Sequence, residues 1–304
     1  MSVDEYSANL NKSLPASPST TRIPAFFLAH GSPMLIWPKH LLNESDSRMS
    51  HMMGISGPNG AHANFLKALG PFLLQRYKPK AILVFSAHWE TQGHIEVMNN
   101  DEKNGLLYDY YNFPDELYKV TWESHGSCSI AKRIKDLLEQ AKIPVKMIKN
   151  SERGLDHGVF VPFIHMFPEQ PFPLPIIEVS MDSSLDPDRE IALGKAVESL
   201  RDEGILILSG GLSIHNLRDF KQFSPDSASA QVKDFERTVI KAAEASQNQR
   251  LDALKQVVRH PGFRLAHPRE DHFVPIYIAA GAGSHGDTKV LCDLHGAVTI
   301  AFGV

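Results

Sequence analysis

A strand that is apolar on nearly every residue has no face to offer water. This chain has several. AILVFSA (81–87) and GILILSGG (204–211) carry no charge, and IPAFFLA (23–29) and PLPIIEVSM (173–181) read as further strands. Strands with one wet face alternate apolar and polar residues; these do not, so they predict a sheet covered on both faces. Helical spacing fills the intervals: residues 61–77 with a possible kink at Gly70-Pro71, 126–143 with a serine N-cap candidate, 227–246, and 271–282 despite its proline. The segment 186–204 adds a helix with an acidic first turn and a C-terminal glycine. HIEVM (94–98) and PVKMI (144–148) add short strands, and KVLCDLHG (289–296) with AVTIAFG (297–303) predicts a closing hairpin. The expected class is α/β, with a mixed, mostly parallel sheet and helices on both faces.

No Pro/Gly/Ser-rich linker divides the chain, so residues 23–304 read as one domain. Residues 1–22 are polar and rich in Ser, Thr and Pro, and read as a disordered tail. They lack the apolar core of a signal peptide. A formal net charge of −4 argues against a nucleic-acid or anionic-membrane partner, and no apolar stretch is long enough to cross a bilayer. The two cysteines, Cys128 and Cys292, form no metal-type or redox-type pair, which fits a reducing, cytoplasmic location. Nothing in the sequence fixes an oligomeric state.

The histidines stand out: 15, against seven tyrosines. In open α/β sheets, ligands bind beyond the carboxyl ends of the strands. His30 follows the first strand, His88 follows AILVFSA, and His215 follows GILILSGG in LSIHNLR. His157 in RGLDHGVF and His272 in HPREDHFVP sit at loop-to-helix transitions. A lone histidine at a strand end is more often a hydrogen-bonded structural residue; several on one rim satisfy a metal's need for three or four ligands from separate segments. His40, His51, His62, His94, His125, His165, His260, His285 and His295 read as structural, and His267 as ambiguous beside His272. There is no HExxH and no CxxC. The residues alone therefore describe an α/β protein with a histidine-rich rim.

Six stretches, LAHGSPM, FSAHWET, YDYYNFP, ERGLDHGVFVP, LSIHNLR and HPREDHFVPIYIAAGAG, occur in an order that resembles the class III extradiol ring-cleaving dioxygenases. The closest branch is the DOPA-dioxygenase type, and the likeness runs from about residue 23 to the C terminus. It implies one divalent non-haem metal, Fe(II) for activity with Zn(II) also accommodated, and a small catechol opened next to its hydroxyls by O2. Carried over residue by residue, it implies His30, His88 and His272 as metal ligands. His215 falls at a position that is either a fourth metal neighbour or an acid–base, and His157 at that of a second active-site histidine. Better-known class III members use two histidines and a carboxylate; with the register shifted, Glu270 or Asp271 would take the place of His272.

Trp89 and the YDYYNFP aromatics Tyr108, Tyr110, Tyr111 and Phe113 either wall a slot for the ring or pack the loop. Arg153 and Arg269 are either substrate-carboxylate partners or surface charges, and Asn216 either donates to a ligand or caps its turn. A zinc-dependent hydrolase on the same rim is the competing enzyme class. A binding protein with a decayed metal site is the competing non-enzyme, and the five retained histidines argue against it.

Overall fold

A computed structural model describes residues 1–14, 22–41 and 56–304. The elements, in chain order, are α1 (Val3–Ser13), β1 (Ala25–Ala29), α2 (Ala61–Tyr77), β2 (Ala81–Thr91), β3 (Ile95–Met98), α3 (Cys128–Gln140), β4 (Val145–Ile148), α4 (His157–Met166), β5 (Ile176–Asp182), α5 (Pro187–Ala196), β6 (Ile205–Gly211), α6 (Ala230–Ala243), α7 (Gln247–Gln256), α8 (Phe263–Ala266), α9 (Pro275–Ala282), β7 (Thr288–Leu294) and β8 (Ala297–Phe302). The strands form one eight-stranded sheet in the order β4-β3-β5-β2-β6-β1-β8-β7. The central strands β5, β2, β6 and β1 are mutually parallel. The β7–β8 hairpin joins β1 antiparallel at one side, and β3 joins β5 antiparallel at the other.

Every residue of β1 and β6 is buried. Side chains alternate between two cores, one per face: Ala25 and Phe27 enter one, Phe26 and Leu28 the other. Helices α3, α5, α6 and α9 cover the first face; α1, α2 and α4 cover the second. This is the two-faced cover that uninterrupted apolar strands require. Arg201 ties the entry to β1 to the ends of α9 and β8. Its buried guanidinium donates to the carbonyls of Ile23 (2.5 Å), Ala282 (2.8 Å) and Gly303 (2.5 Å).

Three local readings differ from the structure. First, the segment expected as a disordered tail carries a helix near its start, at Val3–Ser13. Ser2 and Glu5 form a capping box, and α1 buries Tyr6 and Leu10 against α2, with the Tyr6 and Phe65 rings 5.4 Å apart. The apolar positions Val3, Tyr6 and Leu10 hold helical spacing inside a polar segment, which its composition disguises. Second, β2 runs on past Ala87 to Thr91, with a register shift between Phe85 and Glu90 that puts Ala87 in the first core and Trp89 in the second. His88 is thus carried on a strand extended beyond the last β2–β6 pair, Ser86 with Gly210. Third, α9 begins at Pro275, where a missing N–H costs nothing, and His272 lies in the turn before it. His51 lies outside the described residues.

Candidate metal centre

The backbone brings the strand-end histidines together. The His30 N–H donates to the Gly211 carbonyl (3.1 Å), extending the β1–β6 ladder by one residue before Gly31 turns the chain at φ +77°. The Leu212 N–H donates to the His272 carbonyl (2.8 Å), and the His215 N–H to Ala266 (2.9 Å), so the end of β6 positions both later histidines.

His30, His88 and His272 each present one ring nitrogen, all within 4.8 Å of one another. The Nε2 atoms of His88 and His272 are 3.2 Å apart. Two nitrogens, each about 2.1 Å from one ion at a near-tetrahedral angle, sit roughly 3.4 Å apart. His30 is 1% exposed, yet neither of its ring nitrogens has a hydrogen-bond partner. A buried polar group without a partner is costly, and a shared cation gives it one. Burial first, then the neighbouring imidazoles, hold His30 and His272 well below the usual histidine range. They are neutral, the form that ligates metal.

Carboxylates fix the remaining ring nitrogens. His272 Nδ1–H donates to Asp271 Oδ2 (2.9 Å), and His88 Nδ1 lies at ion-pair distance from Asp109 Oδ2 (3.2 Å). Each contact leaves an Nε2 lone pair for a cation. Asp271 thus contacts the His272 ring without displacing it from the three-histidine group. Glu270 pairs with Arg264. At His88, burial depresses basicity but is outweighed by the bond to Asp109 and the charges of Asp156, Asp109 and Asp271, so its pKa is raised.

The other two histidines flank this group. The His157 ring centroid is 4.0 Å from that of His88 and 6.3 Å from that of His30. Burial, then His88, lowers its pKa, against the pull of Asp109. His215 stacks on His272 with centroids 3.4 Å apart and planes 17° apart, and groups with Asp271 and His272. Burial foremost pushes its pKa down to about 4.

Asp109, the second residue of YDYYNFP, is the residue sequence reasoning missed. Adjacency in sequence draws attention to Asp156 as the partner of His157, but the Nδ1–H of His157 donates to Asp109 Oδ1 (2.7 Å). Asp156 instead accepts from Ser86 Oγ (2.9 Å) and Arg153 Nη2 (2.6 Å). The Ser86 hydroxyl in turn accepts from the His88 N–H (3.2 Å). A lone acid within an aromatic run was the available signal.

Several proposed substrate contacts have other duties. Arg153 also reaches Glu178 (3.2 Å) and lies 4.6 Å over the Trp89 ring, so it is neither a surface charge nor free for a ligand, and Trp89 packs beneath it. Glu178 is fully buried; burial and then Asp156 raise its pKa far above the usual range, against Arg153. Arg269 forms a fork with Glu90 (2.5 and 2.6 Å). The phenols of Tyr108 and Tyr110 donate to Val120 and Leu117 carbonyls (both 2.6 Å), so both pack their loop. Asn216 caps its turn, accepting from Arg218 and Asp219 N–H groups. His267 is structural, bonded to the Ser213 carbonyl (2.9 Å). Beside the centre, an apolar cavity of about 270 Å³ starts at Gly31 and includes Ser32, His62, Phe113, Leu212 and Leu217. Among the described residues, no helix is long and apolar enough to cross a membrane.

Residues 24–303 match the family described as the catalytic LigB subunit of aromatic ring-opening dioxygenase. A Schizosaccharomyces pombe protein named 4,5-DOPA dioxygenase extradiol-like protein is 49% identical over 283 residues, covering 93% of this chain and 92% of that one. The 4,5-DOPA dioxygenase extradiol of Beta vulgaris is 33% identical over 88% of this chain and 89% of its own length. That of Escherichia coli is 31% identical over 87% and 86%. A crystal structure of an uncharacterized Escherichia coli K12 protein shares the fold, with a TM-score of 0.67 and 24% identity over 93% of this chain and all of that one.

Proposed function

Because the chain belongs to the LigB family of aromatic ring-opening dioxygenases, and is therefore an extradiol dioxygenase acting on a small aromatic molecule with O2, we propose that its substrate is a DOPA-like catechol and its metal Fe(II), held by His30, His88 and His272. The observation that carries this reading is the convergence of three imidazoles, one of them buried with both nitrogens partnerless. The relatives' names supply the substrate class. The catalytic unit is the single domain 23–304, on which α1 packs.

A ferrous ion bound there supplies redox chemistry with O2 and acidifies the catechol hydroxyls. The protein's own groups handle the protons. His157 is the proton acceptor: with Nδ1 committed to Asp109, its Nε2 is the basic nitrogen, and the carboxylate stabilises the imidazolium once formed. His215, neutral and stacked on His272, acts as a hydrogen-bonding acid–base neighbour of the substrate in place of a fourth ligand. The apolar cavity beginning beside His30 gives the carbon frame of the substrate a dry place to lie.

Anaerobic loading with Fe(II), followed by DOPA and other catechols with O2, tests the reading. The expected result is stoichiometric oxygen uptake with a yellow semialdehyde product, abolished in H88A and H272A. An iron-loaded protein that consumes no oxygen with any catechol overturns it.

A further inference from the structure

Asp109 touches two histidines of different duty. Its Oδ2 is 3.2 Å from His88 Nδ1; its Oδ1 is 2.7 Å from His157 Nδ1 and 2.9 Å from the His157 backbone N. A carboxylate only accepts, so the His157 ring carries its proton on Nδ1, and the same carboxylate at ion-pair distance favours the Nδ1–H form of His88. We infer that Asp109 is a positioning residue that sets the tautomer of a metal ligand and of the neighbouring base at once, leaving the Nε2 lone pair of each ring available. The inference rests on reading His88 as a ligand and His157 as the base.

The surroundings hold the carboxylate still. The flanking phenols of Tyr108 and Tyr110 are tied to main-chain carbonyls on the 117–120 segment. Asn150 bridges the start of the loop, accepting from Gly105 N–H (2.9 Å) and donating to the Lys103 carbonyl (2.7 Å). Leu106 and Leu155 pair as a parallel bridge, which brings the loop alongside the chain entering α4. Asp156 occupies the N-cap position of α4 without a side-chain cap bond, and Asp109 supplies the helix N terminus with an acceptor from across the fold.

The substitution Asp109→Asn separates this role from packing. The backbone N–H of His157 always donates, so the amide oxygen must face it. The amide nitrogen then faces His88 and donates to Nδ1, which moves the His88 proton to Nε2 and blocks ligation. Asp109→Ala removes the bond but leaves His88 free to keep its proton on Nδ1. If Asp109 serves only shape, the isosteric Asn is the milder change; if it sets the tautomer, Asn is the harsher one.

Zn(II) affinity, measured by competition with a chromophoric chelator on metal-stripped protein, is expected to fall roughly tenfold to hundredfold in D109N, and further than in D109A. A D109N protein within threefold of wild type, or D109A weaker than D109N, overturns the inference. A second readout needs no variant: two-bond ¹H–¹⁵N spectra of the zinc-loaded wild type should show both rings protonated at Nδ1, and an Nε2–H tautomer at either overturns it. Unchanged zinc affinity in H88A would remove the ligand assignment itself, an outcome distinct from those of the Asp109 pair.

Discussion

Gly158, the second residue of α4, approaches the His88 ring so closely that one methyl group is a sensitive probe of the proposed metal centre. A Cβ there would lie 2.8 Å from His88 Cδ2 and 3.1 Å from both Ser86 Oγ and Asp156 Oδ1. Ordinary contact begins near 3.4 Å, so the His88 ring must give by about 0.6 Å. Metal–ligand distances tolerate only about 0.2 Å. The same methyl also presses on the Ser86–Asp156 bond that holds the His88 backbone. Against this, alanine is favoured over glycine within a helix by up to about 1 kcal/mol. The two effects act on different equilibria. Without metal, the His88 ring can step aside, and G158A should unfold in urea within about 1 kcal/mol of wild type. With metal, the ring must return, and Zn(II) affinity should fall roughly tenfold to hundredfold, about 1.4–2.7 kcal/mol. Chelator competition and urea unfolding of the stripped protein measure the two separately. Zinc affinity within threefold of wild type would refute the reasoning. So would a metal-free protein weakened by several kcal/mol, which would mean that α4 absorbs the clash instead of His88.

Two predictions concern the frame. His62 is buried with Nε2 on the Ala29 carbonyl (2.9 Å), and burial foremost lowers its pKa to about 4. That folded value lies below the unfolded value near 6.5, so the stability of the neutral ring is full above about pH 6.5 and lost as pH falls toward 4. H62Q keeps a donor for Ala29 and does not titrate; between pH 8 and 5, metal-free wild type should lose about 2 kcal/mol more than H62Q in urea unfolding, and parallel pH curves would refute the assignment. R201M leaves the carbonyls of Ile23, Ala282 and Gly303 without their buried donor and should cost about 3 kcal/mol or more; a urea midpoint unchanged from wild type would show that water replaces the guanidinium.

The sheet and the helices over both its faces were legible in the sequence, because an apolar run such as AILVF can satisfy neither face with water and must be covered twice. The delivery of His30 and His215 to the carboxyl edge was legible for the same reason: the strands end where the polar residues begin. Resemblance of motifs then pointed to the three histidines that the fold brings within 4.8 Å of one another. Contacts between segments distant in sequence were not legible. Asp156 is bonded to the His157 backbone by sequence but turns to Ser86 and Arg153, while Asp109, 48 residues away, holds the ring. The Arg153 charge reads as surface until Asp156, Glu178 and Trp89 close around it. The helix at Val3–Ser13 is amphipathic on a stripe of only a few residues, and what holds it is the packing of α2, over fifty residues on. Hydrophobic pattern is a local property and fixes which elements form; the partner of a polar side chain is decided by which loops the finished sheet places side by side.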